Sequence, residues 1–481
     1  MQNTQLLEKI KNSRCAVLGF GVSNRPLVEF LLELGAREIT VYDKKPVEEL
    51  GPSAADFEAR GVRFVTGEGY LAEIRADVIF RSPGIRDDRE GIVHAVENGA
   101  WLTSEMELFF ALTPATVIGI TGSDGKTTTT TLCAKILSRE LEKKGRGRVY
   151  LGGNIGEPLL PHVKKMSEDD YAIVELSSFQ LKTMKQSPSR AIITNLSPNH
   201  LDWHTDMQEY VESKFNICRH GEVSRFVTNR DNEVAYGLSA RLSSGVTLFS
   251  SHLNSYEDIC GDRQGCRAVF ERDGEIILSN GTVERIMIKT SDIKLVGRHN
   301  VENYMAAIGV LDGLVSGESV REVARTFGGV EHRLEFVRQL DGVSYYNSSI
   351  DSSPSRTAAA VSALDRKPVI ICGGYDKKIP FAPLGETLCR GVKAVVLTGA
   401  TADAIRAAIE STPGYEKSGL RVVMRPDFAE AVHAARDIAE DGDIVLLSPA
   451  CASFDAFRNF EERGNVFKAI VNEMESKSSS R

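Results

Sequence analysis

The chain has 481 residues, of which 42% are apolar and 26% are charged. This composition is typical of a globular protein and excludes a largely disordered or fibrous chain, while the length predicts about three domains. The net charge of −8 argues against a protein whose main role is to bind nucleic acid or an anionic membrane.

The first residues carry no charged region followed by an apolar run, and no later stretch approaches the roughly 18 apolar residues of a membrane span. We therefore expect a cytoplasmic protein without a membrane partner. Eight cysteines are scattered without a Cys-x-x-Cys motif. This spacing predicts reduced thiols rather than a zinc site or a disulfide framework.

A strand–helix–strand pattern covers residues 15–43, and a further apolar strand at 77–80 precedes Ser82-Pro83-Gly84. Such a pattern predicts a Rossmann-like, doubly wound domain, which we place at residues 1–109. The loop 19–24 is similar to a dinucleotide-binding turn, and Asp43 ends the second strand as a ribose-binding acid would. Asn24 replaces the third glycine, so any diphosphate at a helix start, including a nucleotide sugar, fits as well as NAD.

The most informative segment is the loop 121–128, Thr-Gly-Ser-Asp-Gly-Lys-Thr-Thr, between a predicted strand and a predicted helix. Its glycines let backbone N–H groups converge on phosphates, Lys126 can reach the terminal phosphates and Thr127 can ligate Mg²⁺. Ile120 stands where the strict phosphate-loop pattern has its first glycine. The alternative is a glycine-rich turn with a surface lysine.

Metal-capable residues follow the next predicted strands. Glu175 ends the apolar run 171–175, where a buried carboxylate needs a cation or caps the following helix. His200 lies in the loop 199–204 after the strand 190–195, although a single loop histidine more commonly forms ordinary hydrogen bonds. Lys214, in the predicted helix 208–218, would normally be solvated.

We assign residues 110–329 to a central domain with a mostly parallel sheet, like that of phosphate-loop ATPases, and predict antiparallel hairpins inserted at 225–295. Residues 330–481 contain strands at 367–373, 392–399 and 443–448 separated by alanine-rich helices. They predict a third, Rossmann-like domain. The fold class is therefore α/β with three domains.

Taken together, these motifs resemble the Mur ligase family of peptidoglycan synthesis over nearly the whole chain. The resemblance rests on the segments 119–128, 152–156, 175–180, 199–202, 297–300 with Asn303, and 332–333. The segments 448–455 and 459–464 are similar to those of the D-glutamate-adding members of the family.

The resemblance implies that the three domains bind UDP-sugar, ATP with two Mg²⁺ ions, and the incoming amino acid, in that order. The implied ATP-binding residues are Gly122, Ser123, Asp124, Gly125, Lys126, Thr127, Thr128, Asn300, Asn303 and Arg333. The implied UDP-sugar-binding residues are Val22, Ser23, Asp43, Lys44, Ser82, Gly84 and Asn154, and the implied D-glutamate-binding residues are Ser352, Lys377, Ser453 and Phe460. The implied metal ligands are Thr127 and Glu175 for one ion and His200 and carbamylated Lys214 for the other, and Lys126, Glu175, His200 and Lys214 are the implied catalytic residues.

The implied activity is an ATP-dependent ligation of D-glutamate to UDP-N-acetylmuramoyl-L-alanine through an acyl phosphate, with release of ADP and phosphate, by a monomer. Another Mur ligase or a folylpolyglutamate-synthase-like ligase, an NAD-dependent oxidoreductase and a non-enzymatic nucleotide switch are the alternatives. One departure is Ser348, where the family usually has an aspartate that contacts the ATP ribose, and Asp351 is a candidate substitute.

Overall fold

The computed structural model describes residues 2–201, 203–295, 297–377 and 379–476, with the side chains of residues 2 and 3 left aside. In this part of the chain, helices and three mainly parallel sheets confirm the predicted α/β class. The residues form two compact units. The first contains the described residues up to Asp292 and Val301–Ala324, and the second contains Ile293–Asn300 and those from Arg325 onward. The three domain ranges given above remain predictions.

The first sheet has the strand order β3-β2-β1-β4-β5, and all neighbours are parallel. Its strands are β1 Arg14–Leu18, β2 Glu38–Asp43, β3 Arg63–Thr66, β4 Val78–Arg81 and β5 Trp101–Thr103. Its helices are α1 Gln2–Lys11, α2 Asn24–Leu34, α3 Pro52–Ala59, α4 Glu90–Glu97 and α5 Glu105–Leu112, with a 3₁₀ turn at Val47–Glu49. The central strand β1 is buried along Cys15–Leu18, which explains its continuous apolar run. The strand order reverses between β1 and β4, which is where ligands bind in such sheets.

The second sheet has the order β14-β13-β12-β11-β10-β9-β6-β8-β7. Its strands are β6 Thr116–Thr121, β7 Val149–Gly153, β8 Tyr171–Glu175, β9 Arg190–Ile193, β10 Arg225–Asn229, β11 Val246–Ser250, β12 Arg267–Arg272, β13 Glu275–Ser279 and β14 Glu284–Lys289. Its helices are α6 Lys126–Lys144, α7 Ser178–Leu181, α8 Met207–Arg219, α9 Glu233–Ser239, α10 Tyr256–Cys260, α11 Arg298–Leu311 and α12 Gly317–Thr326, with 3₁₀ turns at Leu160–Lys165 and Thr290–Asp292.

The prediction of antiparallel hairpins throughout residues 225–295 is wrong for the first half of that range. Strands β10 and β11 pair parallel with each other, β10 pairs parallel with β9, and β11 pairs parallel with β12. Only β12, β13 and β14 form an antiparallel meander within the described residues. Helices α9 and α10 supply the crossovers that parallel pairing requires, and both are too short to show a helical period in the sequence.

The prediction of reduced thiols is wrong for two of the eight cysteines. Cys260 and Cys266 form a disulfide six residues apart, at the end of α10 and before β12. The other cysteines are free and buried: Cys15, Cys133, Cys218, Cys372, Cys389 and Cys451. The chain spacing of Cys260 and Cys266 carried no metal or redox motif, so only their proximity in space identifies the pair.

The third sheet has the order β15-β16-β20-β17-β18-β19, with β15 and β16 antiparallel and the remaining neighbours parallel. Its strands are β15 Glu335–Leu340, β16 Val343–Asn347, β17 Val369–Cys372, β18 Ala394–Leu397, β19 Arg421–Met424 and β20 Ile444–Leu447. Its helices are α13 Pro354–Ser362, α14 Ala382–Gly391, α15 Ala402–Glu410, α16 Tyr415–Ser418, α17 Phe428–Ile438 and α18 Phe460–Glu473. Among all the described helices, none is long and apolar enough to cross a membrane.

Candidate active site

The phosphate loop, residues 121–128, connects the carboxyl end of β6 to the amino end of α6, as the sequence predicts. Gly122 and Gly125 have φ angles of 149° and 76°, which side chains rarely adopt. A Cβ on Gly122 would overlap Thr194 Oγ1, and one on Gly125 would overlap Asn303 Oδ1. Both glycines are therefore required by the backbone and by close neighbours.

Hydrogen bonds within the loop and from neighbouring segments fix its conformation. Lys126 Nζ donates to the Ser123 carbonyl oxygen at 2.7 Å, and Thr194 Oγ1 donates to the Asp124 carbonyl oxygen at 2.6 Å. The Ser123 and Tyr210 hydroxyls are 2.8 Å apart, and the Asp124 amide donates to Asn195 Oδ1 at 2.9 Å. Sequence reasoning missed Thr194, Asn195 and Tyr210, whose partners lie at least 70 positions away. They preorganise the loop before any ligand binds.

Lys214 is buried, contrary to the ordinary expectation for a lysine on a helix. Its side chain on α8 is only 2% exposed, and its ammonium nitrogen donates to Gly122 O at 2.8 Å and Thr121 Oγ1 at 3.2 Å. Burial, with the nearby charge of Lys126, lowers the pKa of Lys214 well below its usual value. The structure therefore places Lys214 against the phosphate loop, where its ammonium group loses a proton more readily than that of an exposed lysine.

Glu175 ends β8 and is 1% exposed. Its Oε1 accepts a hydrogen bond from Asn154 Nδ2 at 2.8 Å, whereas the buried Oε2 has no partner among the described residues. An unpaired carboxylate oxygen is costly to bury, so this position suits a cation. The contact also places the two predicted site residues Asn154 and Glu175 together.

His200 is exposed, with a φ angle of 55°, and its ring lies 4.9 Å from that of Phe179. The buried histidine of this loop is His204, which contacts Ser178 Oγ at 2.9 Å and Glu209 Oε2 at 3.2 Å. Asp202, part of the motif 199–202, lies outside the described residues. No three His, Cys, Asp or Glu side chains converge as a metal site in the part of the chain that is described.

The two asparagines predicted to bind ATP, Asn300 and Asn303, lie in different compact units and contact different residues. Asn303 is buried in the first unit, next to Gly125, and accepts a hydrogen bond from Thr129 Oγ1 at 3.1 Å. Asn300 belongs to the second unit, and its Nδ2 lies 3.1 Å from His299 Nε2. Thr127 and Thr128 occupy the first turn of α6. Of these residues, the structure brings Asn303 and the threonines to the phosphate loop.

The predicted UDP-sugar residues of the first sheet follow the carboxyl ends of its strands. Val22 and Ser23 follow β1, Asp43 and Lys44 end or follow β2, and Ser82 and Gly84 follow β4. The Asp43 carboxylate accepts hydrogen bonds from the Phe20 and Lys45 amides at 2.7 and 2.9 Å. Asn24 holds the turn by donating to Leu18 O and Gly19 O, which explains an asparagine where dinucleotide-binding loops have glycine.

A cavity of about 590 Å³ opens beside these loops. Lys44, Gly84, Arg89 and His94 are among its lining residues. Lysine and arginine side chains bind phosphate oxygens, so this cavity suits an anionic ligand.

Arg81, the last residue of β4, connects two loops by hydrogen bonds, a role that the sequence did not reveal. Its guanidinium is 1% exposed and donates to three carbonyl oxygens of the following turn, those of Ser82, Pro83 and Ile85. The same group donates to the Phe179 carbonyl oxygen and to Thr183 Oγ1, both at 2.9 Å. It therefore joins the predicted UDP-sugar turn to the segment that follows Glu175.

In the second unit, Lys377 Nζ donates to Ser352 Oγ at 3.1 Å, which brings together two predicted D-glutamate residues. Ser453 is buried, and Phe460 begins α18 with its ring 5.8 Å from that of His332. Arg463 donates to Ser349 Oγ, Ala452 O and Cys451 O, and so links the loops that carry these residues. Sequence reasoning missed this buried arginine.

Asp351, the candidate substitute for the aspartate absent at position 348, is buried in the second unit. It is 6% exposed and accepts a hydrogen bond from Ser448 Oγ at 2.8 Å, and burial raises the pKa of its carboxyl. Ser348 Oγ accepts a hydrogen bond from the Leu334 amide at 3.1 Å, and Ser348 also contacts the Asp351 carboxyl. Arg333, the predicted ATP contact of this unit, is exposed.

The mainly parallel sheets and the phosphate loop at a strand–helix junction define the class, an α/β protein built to bind phosphorylated ligands. Residues 120–311 match the family described as Mur ligase middle domain, and residues 332–451 match the one described as Mur ligase, glutamate ligase domain. The chain belongs to the Mur ligase family. This confirms the resemblance found in the sequence.

Relatives support this assignment, and two solved structures share the fold. The chain is 46% identical over 469 residues to UDP-N-acetylmuramoylalanine–D-glutamate ligase of Clostridium novyi, covering 97% of this chain and 98% of the relative. It is 44% identical over 473 residues to the ligase of the same name from Clostridium acetobutylicum, covering 98% of each. UDP-N-acetylmuramate-alanine ligase MurC from Thermotoga maritima shares the fold at a TM-score of 0.51 and 17% identity, covering 98% of this chain and 100% of that one. MurF from Acinetobacter baumannii does so at 0.52 and 16% identity, covering 78% and 82%.

Proposed function

We propose that this chain uses ATP to join D-glutamate to UDP-N-acetylmuramoyl-L-alanine in the synthesis of peptidoglycan precursors. Relatives that carry this name match 97–98% of the chain. The observation that carries the proposal is the carboxyl edge of the nine-stranded sheet. There the phosphate loop follows β6, the unpaired Glu175 oxygen lies at the end of β8, and the buried Lys214 amine contacts the loop.

The chemistry follows from the poor reactivity of a carboxylate as an acyl donor. The substrate carboxylate attacks the γ-phosphate of ATP, which gives an acyl phosphate and ADP; the D-glutamate amine then attacks the acyl carbon, and phosphate leaves. Lys126 and the loop amides stabilise charge on the transferring phosphoryl group. The other proposed ATP contacts are Asn303 in the first unit, and Asn300 and Arg333 in the second unit.

The proposed cofactors include two Mg²⁺ ions. Thr127 and Glu175 would hold one ion, for which the unpaired Glu175 Oε2 is available, and His200 and Lys214 would hold the other. When bound, Mg²⁺ neutralises phosphate charge. An ammonium group cannot ligate a cation, so Lys214 would first form a carbamate: its neutral amine bonds to the carbon of CO₂ and a proton is released. Its lowered pKa supports this step because the amine is more readily neutral.

The remaining proposed contacts belong to the two other substrates. Val22, Ser23, Asp43, Lys44, Ser82 and Gly84 would bind the UDP part, next to the 590 Å³ cavity, with Asn154 nearer the reacting end. In the second unit Ser352, Lys377, Ser453 and Phe460 would bind D-glutamate, with the Lys377 ammonium paired to a carboxylate. A cytoplasmic location and a monomeric state remain predictions.

Phosphate release with UDP-N-acetylmuramoyl-L-alanine, Mg·ATP and one amino acid at a time tests this function. D-Glutamate should stimulate release, whereas L-glutamate, L-alanine and L-lysine should not. Mass spectrometry of the product should show the added glutamyl residue. Stimulation by L-alanine or L-lysine instead of D-glutamate would assign the chain to another branch of the family, and release without any amino acid would argue for a simple ATPase.

A further inference from the structure

Four arginines surround one aspartate at the amino edge of the nine-stranded sheet. Arg190, Arg225 and Arg267 begin β9, β10 and β12, and Arg285 is the second residue of β14. Asp312 directly follows α11. All five residues belong to the first compact unit, and none of them is part of the candidate active site. We call them the arginine cluster.

The four arginines contact either the side-chain carboxylate or the backbone carbonyl oxygen of Asp312. Arg225 Nη1 and Arg267 Nε each lie 3.3 Å from Asp312 Oδ2, and Arg285 Nη2 contacts Asp312 Oδ1. Arg190 Nη1 donates to the Asp312 carbonyl oxygen at 2.9 Å and to that of Val310 at 2.7 Å. The aspartate and the carbonyl end of α11 thus hold the four guanidinium groups together.

The charges of the cluster do not balance. Four arginines and one aspartate carry a net charge of +3, and within the described residues Asp312 is the only carboxylate that forms an ion pair with any of the four. The Asp312 side chain is only 5% exposed and that of Arg225 10%, so water screens the charges of these two groups poorly. Burial and the neighbouring Arg267 lower the pKa of Arg225 to about 10, which still leaves it charged at neutral pH.

The cluster also has unused donors. Arg225 Nε is buried without a hydrogen-bond partner in the described part of the chain. Arg267 and Arg285 are 40% and 53% exposed, and in the same part of the chain each pairs only with Asp312. They bond opposite oxygens of one carboxylate, so their guanidinium groups are neighbours. Two adjacent guanidinium groups with free N–H donors match the geometry of a tetrahedral oxyanion.

We propose that the arginine cluster binds a phosphate-class oxyanion, either inorganic phosphate or the phosphate of a nucleotide, at a second site distinct from the phosphate loop. The loop follows the carboxyl end of β6, whereas the arginines lie at the amino ends of strands that run in the same direction as β6 in the same sheet. Strands of this length separate the two edges by roughly 15–20 Å. The bound anion offsets the excess charge and stabilises the first unit.

Calorimetric titration of inorganic phosphate into the full chain, at constant ionic strength, tests the proposal. Arg285→Gln should weaken the cluster's phosphate binding by about tenfold or more, because a charged hydrogen-bond donor is lost. Arg272→Gln is the matched control: Arg272 lies on β12, is 39% exposed and pairs with Glu284 instead. It should bind phosphate like the wild type, and phosphate held at the phosphate loop contributes equally to all three proteins.

Thermal unfolding gives a second readout that does not depend on the heat of binding. Phosphate should raise the melting temperature of the wild type and of Arg272→Gln more than that of Arg285→Gln. A parallel titration with AMP distinguishes the sources: binding comparable to that of phosphate indicates a nucleotide ligand, and exclusion of AMP indicates free phosphate. Equal phosphate binding and equal thermal shifts in wild type and Arg285→Gln would overturn the proposal.

Discussion

Lys126 opens the helix that follows the phosphate loop, and its ammonium group is bonded within that loop to the Ser123 carbonyl oxygen. Replacing it with alanine removes the charge that stabilises the transferring phosphoryl group. We expect Lys126→Ala to lower the rate of ADP formation by about 10²–10³-fold or more, with UDP-substrate binding unchanged. Single-turnover ADP formation and calorimetry measure the two quantities separately. Lys135→Ala, an exposed position on the same helix, should retain normal turnover.

Glu175 offers a test of the proposed metal site, because one of its oxygens is satisfied by Asn154 and the other is not. Glu175→Gln keeps the shape and an oxygen for Asn154 but removes the charge. We expect the Mg²⁺ concentration for half-maximal turnover to rise by about tenfold or more, since a carboxylate is the harder ligand. Thermal stability in the absence of Mg²⁺ should not fall, because no buried charge remains. An unchanged Mg²⁺ dependence would exclude Glu175 as a ligand.

These residues differ in how far the sequence could reveal them. The phosphate loop and Glu175 were predictable because a glycine pattern or a strand end is local in the chain. Arg81 was not, since its acceptors in the segment after Glu175 are 98 and 102 positions away and nothing local distinguishes it from a surface arginine. Lys214 was recognised only through the family resemblance, because its burial depends on the tertiary packing of α8.

At the scale of elements, a glycine with a left-handed backbone conformation caps each end of helix α6. Gly125 has a φ angle of 76° and Gly145 one of 67°, but a Cβ on Gly125 would overlap Asn303 whereas one on Gly145 meets nothing within 4 Å. Alanine at either end costs about 1 kcal/mol of strain in the free energy of unfolding. Only Gly125→Ala should also displace the phosphate loop and weaken ATP binding. Urea unfolding of both variants measures the strain, and nucleotide titration measures the affinity for ATP. Equal ATP affinities of the two variants would show that the loop tolerates the displacement.

The same scale explains which elements were predictable. Strands β6, β8 and β9 are short apolar runs followed by functional loops, so their order and type could be inferred from the sequence. The region after residue 225 was partly misassigned because α9 and α10 are only seven and five residues long. Helices of one or two turns leave too few apolar positions for a 3.6-residue period, and their parallel strand pairs depend on neighbours elsewhere in the sheet.

At the scale of the whole molecule, a charged network on Glu209 connects the first sheet to the helices of the second within one compact unit. Arg86, in the loop after β4, and Lys182, after α7, pair with Glu209 at 3.3 and 3.4 Å. The Thr205 amide and His204 also bond to this carboxylate. Burial by itself would raise the pKa of Glu209, but the Thr205 amide and the two cations outweigh it and lower the pKa to about 2.

This network predicts how stability depends on pH. The pKa of Glu209 is lower in the folded chain than the value of about 4.3 for an unfolded glutamate, so the carboxylate stabilises the fold fully above about pH 5. That stabilisation is lost as the pH falls from there to about 2, where the folded form is protonated too. Glu209→Gln should therefore lower the free energy of unfolding by about 2 kcal/mol at pH 7 and by progressively less below about pH 5.

Urea unfolding of wild type and Glu209→Gln across this pH range measures the difference. Both proteins should also lose stability below about pH 6.5, because burial lowers the pKa of His204 and only the unfolded chain then takes up its proton. This contribution of His204 is common to both proteins, so it cancels in the difference between their free energies of unfolding when His204 has the same environment in both. Glu168→Gln, at an exposed position without an ion pair in the described residues, should match the wild type at every pH. A Glu209→Gln difference that stayed constant between pH 7 and 3 would mean that packing of the side chain, rather than its charge, connects the two sheets.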